Sequence, residues 1–180
     1  MSIPDSVERY VIVVLALAAA VQATAVASRA ISRPAPASDY TPVMPGDEVS
    51  FLVGRNEVGQ ETRVSLNNTA GRLTAVLAFH SECGWCEKAA PGWADWLASQ
   101  QEFDVVALTM DPPAVATAYA KGHGWDVRLL SLVDRPSDAV ELKIVNYTPW
   151  VYVFDARGVM LHQQNGGDLT QLSQRVDAAR

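Results

Sequence analysis

The sequence predicts an α/β domain behind an N-terminal apolar segment. Two observations carry the domain. From Pro45 onward short apolar runs of strand length alternate with longer, helix-like stretches, and Gly or Pro marks the joints between them. A third observation carries the segment: after Arg9 no charged residue occurs until Arg29.

The chain starts with a short flank, residues 1–9. Tyr10–Ser28 follows and, as a helix, rises about 28 Å, close to the thickness of a bilayer's hydrocarbon core. Its first half, Val11 to Leu17, is strongly apolar; its second half is Ala-rich and includes Gln22 and Thr24. A retained single-pass anchor is the preferred reading. A cleavable signal also fits, with small-x-small sites at Ala23-Thr24-Ala25 or Ala25-Val26-Ala27. Arg9 before the segment and Arg29 and Arg33 after it favour neither orientation. Residues 29–44 form a tether with Pro34, Pro36 and Pro42 among small and polar residues, which leaves 45–180 as the domain.

Within the domain, Leu73–Phe79 and Val105–Met110 suit buried strands, with a helix over 84–99 between them. Pro112-Pro113 opens a second helix through Lys121, closed by Gly122-His123-Gly124. Val127–Val133 suits a strand and Pro136–Lys143 a short helix. Trp150–Asp155 and Val159–His162 flank a hairpin turn at Ala156-Arg157-Gly158. The chain closes on an amphipathic helix over Asp168–Ala179, with Leu169, Leu172 and Val176 on one side and Asp168 as its cap.

Composition removes several classes. With 180 residues, the chain can bury a core without covalent help, and two cysteines make neither a disulfide scaffold nor a four-cysteine metal site. At 49% hydrophobic and 19% charged it is too apolar for disorder. A net charge of −6 without a basic run argues against nucleic acid as a partner. Residues 1–33 are net +1, which leaves −7 for the rest.

The chemistry lies in Cys83-Gly84-Trp85-Cys86, where a predicted strand hands over to a helix. A sulfur at a helix N-terminus meets unpaired amide N–H groups and the positive end of the dipole, which favour thiolate over thiol. The thiolate is the attacking species in disulfide exchange, and a second sulfur three residues on is placed to resolve a mixed disulfide. Cys83 is therefore expected to attack and Cys86 to resolve. Haem attachment would need His after the second Cys, where Glu87 stands. His80, His123 and His162 match no zinc-finger spacing, so no metal is expected; His123 and His162 read as ordinary loop or strand-end residues.

On these residues the chain resembles the membrane-tethered thioredoxin-like proteins of the TlpA/ResA/CcmG group, over about residues 43–180. Pro91 falls five residues after Cys86, where thioredoxin-fold helices often kink. Val145-Asn146-Tyr147-Thr148-Pro149, then Val151 to Asp155 and Arg157-Gly158, looks like that family's cis-proline loop, strand and hairpin. The interval from Cys83 to Pro149 leaves room for the group's extra helix–strand unit, near 112–134. The resemblance implies a thioredoxin-like fold with that unit and a cis Thr148–Pro149 bond beside the cysteines. It implies an extracytoplasmic thiol–disulfide oxidoreductase acting on protein thiols or disulfides, with Gly84, Trp85, Thr148 and Pro149 contacting substrate. It also implies a membrane-embedded electron donor or acceptor, and no cofactor beyond the Cys83–Cys86 dithiol itself.

The departures are as informative. Thioredoxin's buried carboxylate six residues before the first cysteine is replaced by Leu77; His80, Glu82 and Glu87 are the remaining candidates for tuning a sulfur. Members that reduce apocytochrome c often carry an acid after the cis-proline, and Trp150 stands there, which weakens a role in cytochrome c maturation. Trp93, Trp96, Trp150, Tyr152 and Phe154 read as core, leaving Trp85 as the docking aromatic. Two other functions compete: a peroxiredoxin-like peroxidase, whose chemistry wants Thr or Ser where His80 stands, and a non-catalytic assembly module of a membrane complex.

Overall fold

The computed structural model describes residues 41–67 and 70–179. The predicted segment 10–28 and most of the tether lie outside these residues. Among the described residues no helix is long and apolar enough to cross a membrane.

These residues form β1 (Phe51–Arg55), β2 (Glu61–Ser65), β3 (Leu73–Phe79), α1 (Gly84–Ser99), β4 (Phe103–Thr109) and α2 (Pro113–Gly122), in that order. Then come β5 (Arg128–Ser131), α3 (Val140–Ile144), β6 (Trp150–Phe154), β7 (Met160–Asn165) and α4 (Leu172–Ala178). The strands make one mixed sheet in the order β2-β1-β5-β4-β3-β6-β7. β3, β4 and β5 run parallel, joined through α1 and α2, while β6 lies antiparallel to β3. The extra helix–strand unit is α2 and β5, in the predicted interval.

The alternation of strand side chains explains why β3 is buried at all seven positions. Leu73, Ala75, Leu77 and Phe79 face a core completed by α1, α2 and α4 through Ala90, Trp93, Ala116, Leu172 and Val176. Val76 and Ala78 face a second core with Leu52, Leu108, Leu130, Ile144 and Phe154. The β6–β7 turn falls where predicted, and Gly158 there takes φ +81°, with a Cβ position only 2.4 Å from the Val49 carbonyl.

The structure corrects three local expectations. Asp168 caps no helix: α4 starts at Leu172, and the Asp168 carboxylate accepts the N–H (2.9 Å) and O–H (2.7 Å) of Thr170 in a turn. That turn lets Leu169 and Leu172 both reach the core. The short helix begins at Val140 rather than Pro136, because Pro136–Ala139 closes a turn through the Ala139 N–H and Pro136 carbonyl (3.0 Å). The β1–β2 hairpin is absent from the sequence prediction, since only Leu52, Gly54 and Val64 of its strand residues are buried and the apolar signal is thin.

Candidate functional site

The parallel register Phe79↔Thr109 brings the C-terminal ends of β3 and β4 side by side, and α1 starts from that edge. Cys83 is the N-cap of α1, and its sulfur accepts the Cys86 N–H at 3.4 Å. The Cys83 thiol also donates to the Thr148 carbonyl at 3.6 Å, and the Thr148–Pro149 bond is cis. Cys83, Cys86, Thr148 and Pro149 thus meet at one site. Both cysteines are free thiols, Cys83 half-buried and Cys86 buried.

The two sulfurs differ in acidity. Burial raises the Cys83 pKa, but hydrogen bonds from the Cys86 thiol and N–H, the Thr148 side chain and the Trp85 N–H outweigh it, so the net shift is downward. Cys86 is pushed up to about 12, first by burial, then by its hydrogen bond to Cys83 and that residue's charge. The two shifts are opposed, moving Cys83 toward thiolate and Cys86 toward thiol.

A carboxylate that sequence reasoning missed organises the approach to Cys83. Asp111, 4% exposed, accepts the Ser81 N–H (2.7 Å), the Ser81 hydroxyl (3.0 Å) and the Thr109 hydroxyl (3.0 Å). His80 Nδ1 accepts the Glu82 N–H at 3.1 Å, which assigns the neutral ring's proton to Nε2, 3.4 Å from Asp111 Oδ1. The Cys83 N–H closes the turn on the His80 carbonyl at 3.0 Å. His80 therefore acts on the sulfurs through the loop it holds, and its backbone lies against Cys86. The only sequence cue to Asp111 is a carboxylate ending an apolar strand before Pro112-Pro113.

On the other side of Cys86, Glu87 pairs with His123 Nε2 at 3.2 Å. Tyr119, stacked on Phe79 and edge-on to His123, has its buried hydroxyl by Glu87 without a well-aligned hydrogen bond among the described residues. Its phenol is raised by burial, then by the Glu87 charge and those of the two cysteines. Of the three acid–base candidates, Glu82 and Glu87 are exposed and His80 is half-buried. His162 bonds to Gln164, so the three histidines serve separate networks.

Trp85 stands 70% exposed beside the cysteines, whereas Trp93 is 2% exposed, as predicted for core. The Trp93 indole N–H donates to the Gly166 carbonyl (2.5 Å), and the Gly166 N–H donates to the Pro149 carbonyl (3.0 Å). These two bonds tie α1, the loop after β7 and the cis-proline loop together. Between them lies a groove of about 210 Å³ lined by Trp85, Lys88, Ala89, Pro149, Asn165 and Gly167. A larger cavity of about 480 Å³ sits at the far end of the sheet, lined by Thr74, Phe103 and Arg128 among others, away from the sulfurs.

No family model and no curated protein matches the chain. Solved structures do. The thioredoxin domain of a thiol-disulfide oxidoreductase from Bacteroides vulgatus is 17% identical, covers 74% of this chain and 97% of its own, and superposes with a TM-score of 0.59. A secreted disulfide oxidoreductase of Mycobacterium tuberculosis, homologous to E. coli DsbE, is 17% identical over 71% of this chain and 95% of its own, TM-score 0.54. A peroxiredoxin-like protein from Aquifex aeolicus is 16% identical over 78% and 91%, TM-score 0.58. At these identities the likeness shows the fold: a thioredoxin-like α/β fold that thiol–disulfide oxidoreductases and peroxiredoxin-like proteins share.

Proposed function

We propose that the chain is a thiol–disulfide oxidoreductase of the membrane-tethered TlpA/ResA/CcmG type, exchanging disulfides with proteins outside the cytoplasm. The carrying observation is the asymmetry of the dithiol: Cys83, the α1 N-cap, is shifted toward thiolate, while Cys86 is buried and pushed up to about 12. In the reducing direction the Cys83 thiolate attacks one sulfur of a substrate disulfide and expels the other as a thiolate. The resulting mixed disulfide removes the Cys83 charge, one of the causes that keep Cys86 protonated. Cys86 then loses its proton and attacks the Cys83 sulfur. The substrate's second thiolate leaves, and the two electrons gained by the substrate are those lost in forming the Cys83–Cys86 disulfide.

The cis-proline loop supports the substrate side. Pro149 and the Thr148 carbonyl flank Cys83, where an extended segment of substrate would lie against the backbone. Regeneration of the dithiol falls to a membrane-embedded thiol donor, and the Tyr10–Ser28 segment would hold the domain beside it. The extracytoplasmic placement rests on the chemistry, a redox dithiol working where disulfides persist, since the charges flanking Tyr10–Ser28 favour neither orientation.

Mixed-disulfide trapping in cells tests the assignment. A Cys86→Ser chain is expected to stall as a Cys83 adduct that identifies the partner. Adducts through Cys86 in the reciprocal Cys83→Ser chain would reverse the roles. Rapid peroxide consumption by Cys86→Ser would instead place the chain with the peroxidases, and full cellular function of both variants would make it an assembly module.

A further inference from the structure

The groove behind Trp85 and Pro149 has one charged side chain, and it is a cation. The Lys88 ammonium lies 4.4 Å from the Trp85 ring centroid, one helical turn beyond Trp85 on α1, and pairs with no carboxylate among the described residues. Asn165 faces the same groove; its Oδ1 accepts the Gly167 N–H at 2.8 Å, which orients the amide, and its NH₂ can donate. Ala89, Pro149 and the Trp85 ring supply the apolar walls, and no carboxylate lines the groove. The cationic groove belongs to a region of the chain, residues 34–180, that carries −7. At about 210 Å³ the groove is smaller than a small-molecule site and matches one or two side chains of a peptide.

Its position defines whose side chains. Trp85 lies between the two cysteines in sequence, and Pro149 follows Thr148, whose carbonyl is 3.6 Å from the Cys83 sulfur, so two walls of the groove adjoin the residues that hold the reacting sulfur. A residue next to the substrate's own cysteine would reach it while the disulfide lies on Cys83. We infer that the Lys88–Trp85 groove selects protein substrates carrying an aspartate or glutamate beside the reactive cysteine, whose carboxylate meets Lys88 and the Asn165 amide over the indole. The inference rests on the oxidoreductase reading and supplies its substrate class.

The test uses the full reduced chain in a neutral detergent and short synthetic peptides, each disulfide-linked to an uncharged thiol. The peptides differ only in placing Glu, Gln or Lys immediately before or after the cysteine. Glu is expected to be reduced about fivefold faster than Lys at one of the two flanks, the ratio that corresponds to about 1 kcal/mol for a single partly exposed charge contact. The ratio shrinks toward one at 1 M salt. Lys88→Glu inverts the order of Glu and Lys peptides, and Lys88→Gln levels it, results that a general change in reactivity does not produce. Equal rates for all three residues at both flanks, or an unchanged order in Lys88→Glu, would overturn the inference while leaving the oxidoreductase reading intact. Failure to reduce any peptide, with Cys83 still open to alkylation, would overturn both.

Discussion

Gly166 is the narrowest point of the frame that holds the site, and Gly166→Ala measures how rigid that frame is. The added Cβ would fall 2.5 Å from Trp93 Cζ2, 3.2 Å from Cε2 and 3.3 Å from the Pro149 carbonyl carbon. Carbon atoms settle at about 3.5–4.0 Å, so the indole would have to retreat by about 1 Å. It has little room to do so: Trp93 is 2% exposed and packs on Trp125 at a centroid distance of 5.3 Å. Retreat also pulls the indole N–H from the Gly166 carbonyl. Overpacking of this kind costs about 1–3 kcal/mol, and a buried donor left without its acceptor about 1 kcal/mol or more, for a total of roughly 2–4 kcal/mol. Urea unfolding of the two proteins is the assay, read as a fall in midpoint at unchanged slope. Gly92→Ala on the exposed side of α1 is the control, because nothing lies within 4 Å of its Cβ position. There alanine is expected to stabilise by about 0.5–1 kcal/mol. A loss below about 0.5 kcal/mol for Gly166→Ala would refute the claim that Trp93 and Pro149 are held rigidly through this residue.

Alkylation of the dithiol with iodoacetamide across pH should show Cys83 reacting first, with a midpoint below the ordinary cysteine range. Cys86 should resist until far higher pH, and equal titration of the two would contradict their opposed shifts. Asp111→Asn puts an amide NH₂ among the donors of Ser81, Thr109 and His80; a loss of about 1–3 kcal/mol in urea and a displaced Cys83 alkylation profile are expected, and an unmoved profile would reduce Asp111 to ordinary core packing. Glu141, 1% exposed, accepts the Val53 N–H at 2.6 Å and faces Arg135 at 3.5 Å. Glu141→Ala should cost about 3–5 kcal/mol by stranding both partners, and Glu141→Gln less, as read by thermal unfolding. Burial raises the Asp155 pKa, but the Val159 and Arg157 N–H groups and the Arg157 guanidinium outweigh it and hold it below the usual carboxylate range. Its contribution is therefore complete above about pH 4 and lost as pH falls through the lower folded value. Asp155→Asn should accordingly flatten the acid limb of the stability curve, and an unchanged limb would contradict the shift.

Much of the site was legible because its chemistry is local in sequence. A helix N-cap acts on residues within one turn, so Cys83-Gly84-Trp85-Cys86 after an apolar strand points to an attacking and a resolving cysteine without any knowledge of the rest. The Thr148–Pro149 loop was legible through the strand and hairpin that follow it in the resemblance. His123 read as an ordinary loop residue, yet it meets Glu87 from 36 positions away, and no periodicity encodes such a meeting. Asp111 was silent for the same reason: it serves Ser81 only because β3 and β4 pair in register.

The amino-acid order by itself determined the strand and helix alternation, the dithiol with its polarity, and the apolar stretch ahead of the domain, since each depends on neighbours a few residues apart. Tertiary structure alone decided what surrounds the sulfurs. Sheet order brought the β3 and β4 ends together to enclose Asp111, and close packing left room for only a glycine between Trp93 and Pro149. The same packing left Lys88 and Trp85 at the edge of a groove by the cis-proline. The Asp111–Ser81 and Trp93–Gly166 bonds join residues 30 and 73 positions apart, where burial and register rather than local propensity set the neighbours.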